Sequence, residues 1–307
     1  MNSLFDDNIC DWASWGRVFY SIESFETLIK HIFNKENIFF DRIEHCKPGA
    51  NAVFKVGSYV IKIYAPKESG MDTDSDYYTE IFGMERANSL DIAIPKIISK
   101  GTIEDKYKFR YLIMDYIDGQ ALGDIEDTLS NEQKTVIGKK MRNITDKMNT
   151  YSQKFNSIDI IQRGLNNKRW SIFPNSFNEE RIEYLNELVL KNEVYVHGDL
   201  NPDNVLIGKN ENVYIIDFAD ALLAPSEYEL PAIICELFCF DKAYMEGYFG
   251  EYNLEDFTEL CLKGLLMHDF GSNIIRCNLG NVNDITDIKT LKDRLYLAIE
   301  SGDQLKA

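Results

Sequence analysis

Val-Tyr-Val-His-Gly-Asp-Leu-Asn-Pro-Asp-Asn-Val-Leu-Ile-Gly-Lys-Asn-Glu-Asn-Val-Tyr-Ile-Ile-Asp-Phe-Ala, residues 194–219, is the stretch on which the reading of this chain turns. Two apolar runs, Val194–Val196 and Val213–Ile216, each end in a short polar group containing an aspartate, and Val205–Ile207 supplies a third run between them. Short runs of strand formers bounded by Gly, Asn and Asp read as strands in a core with acids presented at their ends. Asp199, Asn204 and Asp217 then fall at fixed offsets. Phosphoryl transfer needs a carboxylate to orient an acceptor hydroxyl and hard oxygen ligands for magnesium, and this one stretch offers both. Singly, each of these residue types also favours ordinary turns. His197 reads as a packing and hydrogen-bonding residue rather than a proton carrier.

His197-Gly198-Asp199, then Asn204, then Ile216-Asp217-Phe218 resembles the catalytic core of the aminoglycoside phosphotransferase family, small-molecule kinases built on the protein-kinase-like fold. The continuation, Asp220-Ala221 and Tyr228-Glu229, is similar to the hygromycin-type members. The resemblance implies that Asp199 is the catalytic base and that Asn204 and Asp217 hold Mg2+. It implies an α+β, two-lobed protein-kinase-like fold, with an N-terminal antiparallel sheet carrying helices and a mostly helical C-terminal lobe. Residues 1–115 would form the nucleotide-binding lobe, 116–119 the hinge, and 120–307 the catalytic and substrate-binding lobe.

Upstream, 43–64 reads as three strands: Ile43–Cys46, then a hairpin of Ala52–Val56 and Tyr59–Tyr64 about Gly57-Ser58. The turn cluster Lys47-Pro48-Gly49-Ala50-Asn51 precedes the hairpin, and Gly49 and Asn51 are its candidate phosphate contacts, since backbone N–H groups at such turns can approach phosphate. Lys62, flanked by strong strand formers, is costly to bury without an anionic partner; nucleotide phosphates would be one. The competing reading is a lysine on the solvent face of an edge strand. Family members pair this lysine with a glutamate on the next helix, read here over Tyr77–Leu90. Glu80, fifteen residues before Pro95, fits that place better than Glu85. Asp72–Asp76 alternates acids like a calcium loop but lacks the required Gly and closing Glu, so it reads as an acidic loop. A second hairpin, Pro95–Ile103 and Tyr107–Tyr116, leads to the hinge, where the backbone of Met114, Tyr116 and Ile117 would meet adenine.

Of 307 residues, 45% are hydrophobic and 27% charged, and the formal net charge is −17. That balance suits a globular chain large enough for two lobes around a cleft. It argues against nucleic acid as a partner and is compatible with a small cationic substrate. No signal-peptide pattern and no membrane-spanning run is visible, so a cytoplasmic protein with reduced thiols is expected, with no membrane partner. The six cysteines include no Cys-x-x-Cys pair; Cys235 and Cys239 would share one helix face in the core. The four histidines lack zinc-ligand spacing.

Helices are expected from Ser130 to about Phe155 and from Phe177 to Lys191, each opened by a capping box, Ser130 with Gln133 and Ser176 with Glu179. Between them, 156–175 reads as an irregular functional loop or lid. Further helices are expected over Tyr228–Phe240, after a cap at Asp241, over Leu254–Phe270 and over Asp287–Glu300. Asp220, Glu229, Glu236 and Asp241 are candidates for gripping acceptor ammonium groups. The expected activity is Mg2+-dependent transfer of phosphate from ATP or GTP to a hydroxyl of a small cationic acceptor, an aminoglycoside-type antibiotic first. The alternatives are a choline, amino-alcohol or other metabolite kinase, or a non-catalytic nucleotide-binding pseudokinase. Asn201 two residues after Asp199, and Ala219 after Asp217-Phe218, depart from the protein-kinase pattern.

Overall fold

A computed structural model describes residues 3–47 and 49–305. The chain divides into two compact units, residues 1–88 with 94–118, and residues 89–93 with 119–307.

The first unit is built on five antiparallel strands: β1 (Ile43–His45), β2 (Ala52–Val56), β3 (Tyr59–Ile63), β4 (Ile97–Glu104) and β5 (Lys108–Asp115). Their order is β1-β2-β3-β5-β4, so β3 is interior and not an edge. Pro48 of the expected turn lies outside the described residues. Helices α1 (Trp12–Val18) and α2 (Ile22–Lys35) precede the sheet, capped by Asp11 and Ser21. Phe25, Leu28, Ile29, Ile32 and Phe33 of α2 share a core with Phe54, Ile61, Ile63, Phe109 and Ile113 of the sheet. Alternation along β3 puts Ile61 and Ile63 in that core and Lys62 on the opposite face. Helix α3 (Thr73–Ser89) starts at Thr73, not Tyr77, so most of the expected acidic loop is helical. Asp74 and Asp76 lie in its first turn, where carboxylates complement the helix dipole. Arg110 of β5 also grips Asp74, with NH2 at 2.8 Å from Oδ2.

The second unit has short strands: β6 (Gly119–Ala121), β7 (Val194–Val196), β8 (Val205–Gly208), β9 (Val213–Ile215) and β10 (Leu222–Ala224). β6, β8 and β9 form one sheet, and β7 pairs with β10. The rest is mainly helical: α4 (Leu122–Ile125), α5 (Asn131–Met148), α6 (Ile160–Leu165), α7 (Asn175–Glu187), α8 (Lys242–Phe249), α9 (Leu254–Met267), α10 (Gly271–Asn278) and α11 (Ile288–Ser301). Where α5 meets α8 the backbones touch: a Cβ on Gly247 would lie 2.2 Å from the Thr135 carbonyl oxygen, and one on Gly138 2.4 Å from that of Tyr244.

Several expectations need correction. The Ser130–Gln133 box opens α5, but the helix stops at Met148. The Ser176–Glu179 box does not form, because Pro174 precedes α7 and the Ser176 hydroxyl donates instead to the Thr286 carbonyl at 2.7 Å. Residues 156–175 are more regular than expected: they hold α6 and a 3-10 turn over Lys168–Ile172. The expected helix at Tyr228–Phe240 breaks into a 3-10 turn (Ser226–Glu229) and a π-helix (Ala232–Leu237), ended by positive φ at Cys239 and Phe240. Cys235 is buried in the π-helix and Cys239 falls beyond it; all six cysteines are free. Among the described residues, no helix is long and apolar enough to cross a membrane.

Candidate active site

The site grows from the end of β7. The chain turns at Gly198, whose φ of +82° and close approach to the Asp220 carbonyl, 2.4 Å from any Cβ, exclude a side chain. Glu229 fixes this turn from beneath. Its two carboxylate oxygens accept the backbone N–H groups of His197 (2.7 Å) and Gly198 (2.8 Å). Glu229 is buried, which pushes its pKa up to about 7 against the pull of those two bonds. The expectation that it grips an acceptor ammonium is therefore corrected. It anchors the turn.

His197 is fully buried, its ring 4.8 Å from that of Phe218. Its Nε2 lies 3.1 Å from the Ile216 carbonyl, an acceptor only, so that nitrogen carries the proton and Nδ1 accepts the Asp199 N–H at 3.3 Å. The imidazole thus ties the Asp199 backbone to the strand that leads to Asp217.

Asp199 is held through both carboxylate oxygens. Asn201 Nδ2 donates to Oδ1 at 3.0 Å, and Asn204 Nδ2 donates to Oδ2 at 2.9 Å and to the Asp199 carbonyl at 2.8 Å. Burial first, then the charge of Asp220, drives its pKa up to about 8; the Asn201 amide pulls the other way, and Asp217 and Glu236 add smaller repulsions. Asn201 also folds the following turn, its Oδ1 accepting the N–H groups of Asp203 (2.9 Å) and Asn204 (3.2 Å). An Asn-Pro dipeptide signals such a turn.

Asn204 and Asp217 are brought together by the β8–β9 pairing, with the Ile216 N–H on the Asn204 carbonyl at 3.0 Å. Asp217 is exposed and sits at φ +61°, a conformation that non-glycine residues adopt at some cost and that clusters at functional sites. With the Asn204 amide nitrogen committed to Asp199, its oxygen is the atom of that group able to face a cation. An amide oxygen plus a carboxylate is a hard donor pair that suits magnesium, which keeps much of its water. Among the described residues no cluster of three or more His, Cys, Asp or Glu is placed to hold a metal.

Of the remaining acids, Asp220 and Glu236 stay with this group, since Asp199 feels the charge of both. Glu236 lies on the π-helix, and burial raises its pKa to about 7. Asp241 differs from these two in being already engaged: it caps α8 through the Ala243 N–H (2.8 Å) and pairs with Lys134 at 2.7 Å.

In the first unit, Lys62 is 5% exposed and its Nζ lies 2.7 Å from Glu80 Oε2. Glu80 is itself buried and also accepts the Tyr64 hydroxyl. Glu85 instead pairs with Lys100 at 2.6 Å on the surface. Near the turn before β2, the Asn51 side-chain oxygen accepts the Ala65 N–H at 3.3 Å, Trp15 Nε1 donates to the Ala50 carbonyl at 2.9 Å, and Gly49 is exposed. Met114 is buried on β5 in register with Val60. The Tyr116 N–H is already taken by the Ser58 carbonyl at 2.9 Å, which removes it as a donor to adenine; Ile117 follows it.

A feature the sequence reading missed is a charged knot on the 160–172 segment. Asp269 Oδ2 accepts Arg163 NH2 at 2.8 Å and Arg169 NH1 at 2.9 Å. Arg181, buried and with no salt-bridge partner among the described residues, donates to the carbonyls of Leu266 (2.9 Å) and Gly164 (3.2 Å), near the C-terminal ends of α9 and α6. A cation at helix C-termini is favourable, and this one lies 3.8 Å from the Trp170 ring centre. Burial lowers its pKa to about 9. No local pattern signals partners this far apart in sequence.

The fold is similar to that of solved aminoglycoside phosphotransferases. The GDP and kanamycin complex of APH(2")-IIia is 16% identical, with a TM-score of 0.59 over 90% of this chain and 95% of that one. The streptomycin-ATP-APH(2")-IIa ternary complex is 16% identical, with a TM-score of 0.54 over 81% and 91%. APH(4)-Ia is 16% identical, with a TM-score of 0.56 over 90% and 98%. No curated protein matches the chain by sequence. At such identities the likeness shows the kinase-like fold alone. Residues 49–265, well over half of the sequence, match the family model described as the phosphotransferase enzyme family. The chain belongs to that family, the family of the aminoglycoside phosphotransferases.

Proposed function

We propose that this phosphotransferase moves the γ-phosphate of ATP or GTP to a hydroxyl of a small cationic acceptor, an aminoglycoside-type antibiotic first and choline or another amino-alcohol second. The observation that carries the reading is the Asp199 carboxylate, presented on a glycine turn and held by Asn201 at 3.0 Å and Asn204 at 2.9 Å. Structures of similar fold solved in complex with GDP and kanamycin, and with streptomycin and ATP, support both halves of the reaction. Conversion of an antibiotic in this way would give resistance to it.

In the proposed mechanism Asp199 orients the acceptor hydroxyl and takes its proton as the oxygen bonds to phosphorus, while the nucleoside diphosphate departs with the electrons of the broken P–O bond. Lys62, steadied by Glu80, binds nucleotide phosphate, with the turn at Gly49 and Asn51 beside it. Adenine or guanine would be read by backbone near Met114 and Ile117. Asn204 and Asp217 would hold Mg2+, which when bound neutralises phosphate charge. Asp220 and Glu236 hold acceptor ammonium groups. Residues 1–115 are assigned to nucleotide, 116–119 to the connection, and 120–307 to catalysis and acceptor. Rate would come from positioning and charge compensation rather than covalent chemistry.

The test is a phosphorylation screen of purified protein with ATP or GTP and magnesium against aminoglycosides, choline and amino-alcohols, read by the mass shift of the acceptor. A shift of one phosphoryl group on a cationic alcohol is expected. Nucleotide binding without any acceptor turnover would favour the pseudokinase alternative and refute the proposal.

A further inference from the structure

Two arginines share one carboxylate beside the acceptor acids. Asp269, its side chain 9% exposed, binds Arg163 at 2.8 Å and Arg169 at 2.9 Å, and its Oδ1 and main-chain carbonyl accept the Asn167 amide at 3.0 and 2.7 Å. The Asp269 N–H in turn donates to the buried Tyr228 hydroxyl at 3.0 Å. One negative charge cannot satisfy two guanidinium groups, so positive charge is left over at this knot. It falls on Asp220: Arg163 NH2 lies 3.8 Å from Asp220 Oδ1, with the two side chains 33% and 35% exposed. Asp220 also packs its backbone carbonyl against Gly198, next to Asp199. The arginine is not on a loose arm. Its helix, α6, is tied down through Gly164 by buried Arg181, which reaches from α7 to the end of α9.

We propose that Arg163 is a specificity-determining residue of the acceptor site, acting as the resident counter-ion of Asp220, so that an acceptor ammonium gains Asp220 only in competition with a guanidinium already there. The inference rests on the assignment of Asp220 to the acceptor. It gives the site a bias on charge number. A polycation that needs Asp220 for one of several ammonium groups loses affinity to this competition. An acceptor with a single fixed positive charge can use Glu236 and loses less. Arg163 thus holds the site toward acceptors of low charge, and removing it opens the site to more highly charged ones.

The experiment compares wild type, Arg163→Gln, and Arg169→Gln, which loses its own Asp269 bond and leaves that acid to Arg163 alone. Kanamycin is the polycationic probe and choline the singly charged one, read by calorimetric binding and by turnover. In Arg163→Gln, kanamycin should bind about fivefold more tightly, the scale of a partly exposed ion pair, while choline changes less than about twofold. Arg169→Gln should give a smaller gain for kanamycin than Arg163→Gln and leave choline unchanged. In an Asp220→Asn background Arg163→Gln should have no effect on kanamycin. Equal or weaker kanamycin binding in folded Arg163→Gln, or a gain that persists without Asp220, overturns the proposal, and so does failure of kanamycin to bind any variant. Should Arg163→Gln not fold, Arg163→Met keeps the packed stem and reads the same quantity. Calorimetry needs no turnover, so absence of phosphorylation throughout would overturn the phosphotransfer reading while the binding comparison still decides Arg163.

Discussion

The chemistry proposed for Asp199 depends on how its charge is managed. Two side-chain amides steady the carboxylate while burial and Asp220 push its pKa up to about 8. A raised pKa makes a carboxylate a better proton acceptor, provided cations at the working site keep it ionised. Asp199→Ala should lower turnover by about two to four orders of magnitude, the usual loss of a general base, with nucleotide affinity nearly intact. Unchanged turnover would remove Asp199 from the reaction. Asp217→Ala should instead abolish the magnesium dependence of nucleotide binding, measured by calorimetry with and without the metal. Glu229 offers a pH test. An unfolded glutamate titrates near ~4.3, whereas Glu229 in the folded chain holds its proton up to about 7. Between those values the folded state binds more protons, so the Glu229 contribution to stability falls as pH rises through the window. Buried His268, its pKa lowered to about 3, acts in the opposite direction. It is common to wild type and Glu229→Gln, so it cancels between them. Wild type should lose stability relative to Glu229→Gln as pH rises from about 5 to about 7; a difference in melting temperature that does not vary with pH refutes the assignment.

At the scale of elements, the boundaries depend on which groups take up helix ends and turns. Asp241 illustrates this: it caps α8 and pairs with Lys134. Asp241→Ala should reduce stability by about 1–2 kcal/mol, a lost cap plus a partly exposed ion pair, and leave kcat/KM for the acceptor unchanged. A large fall in kcat/KM with normal stability would return Asp241 to the acceptor site. Asp11, Ser130 and Asp287 cap helices as short-range pattern suggests. Where distant groups intervene, the pattern fails. Ser176 is drawn to the Thr286 carbonyl, and residues 160–172 fold around Asp269 and Arg181. The π-helix at Ala232–Leu237 is equally invisible to helical periodicity, since its apolar residues suit an α-helix as well.

At the scale of the whole molecule, a net charge of −17 makes a field that draws in cations. The KM for a cationic acceptor should therefore rise as salt increases from about 0.05 to about 0.5 M, as screening shortens the reach of that field, while kcat changes little. Steady-state kinetics across a salt series would show it. A KM independent of salt would leave the charge with no part in acceptor capture.

What the sequence determined by itself was local. Asp199, Asn204 and Asp217 lie on one continuous stretch whose strands, turns and offsets are written in short-range residue preferences, and the apolar residues of α2 recur at helical spacing on its buried face. Lys62 could be read as needing an anion because a charge among strand formers must be paired. The tertiary structure decided which acids are available for binding. Glu229 and Asp241 look no different from Asp220 along the chain, yet Glu229 is consumed by two backbone N–H groups and Asp241 by a helix end and a lysine. Whether a carboxylate faces solvent or an internal donor is set by packing between segments tens of residues apart, and that information has no local signature.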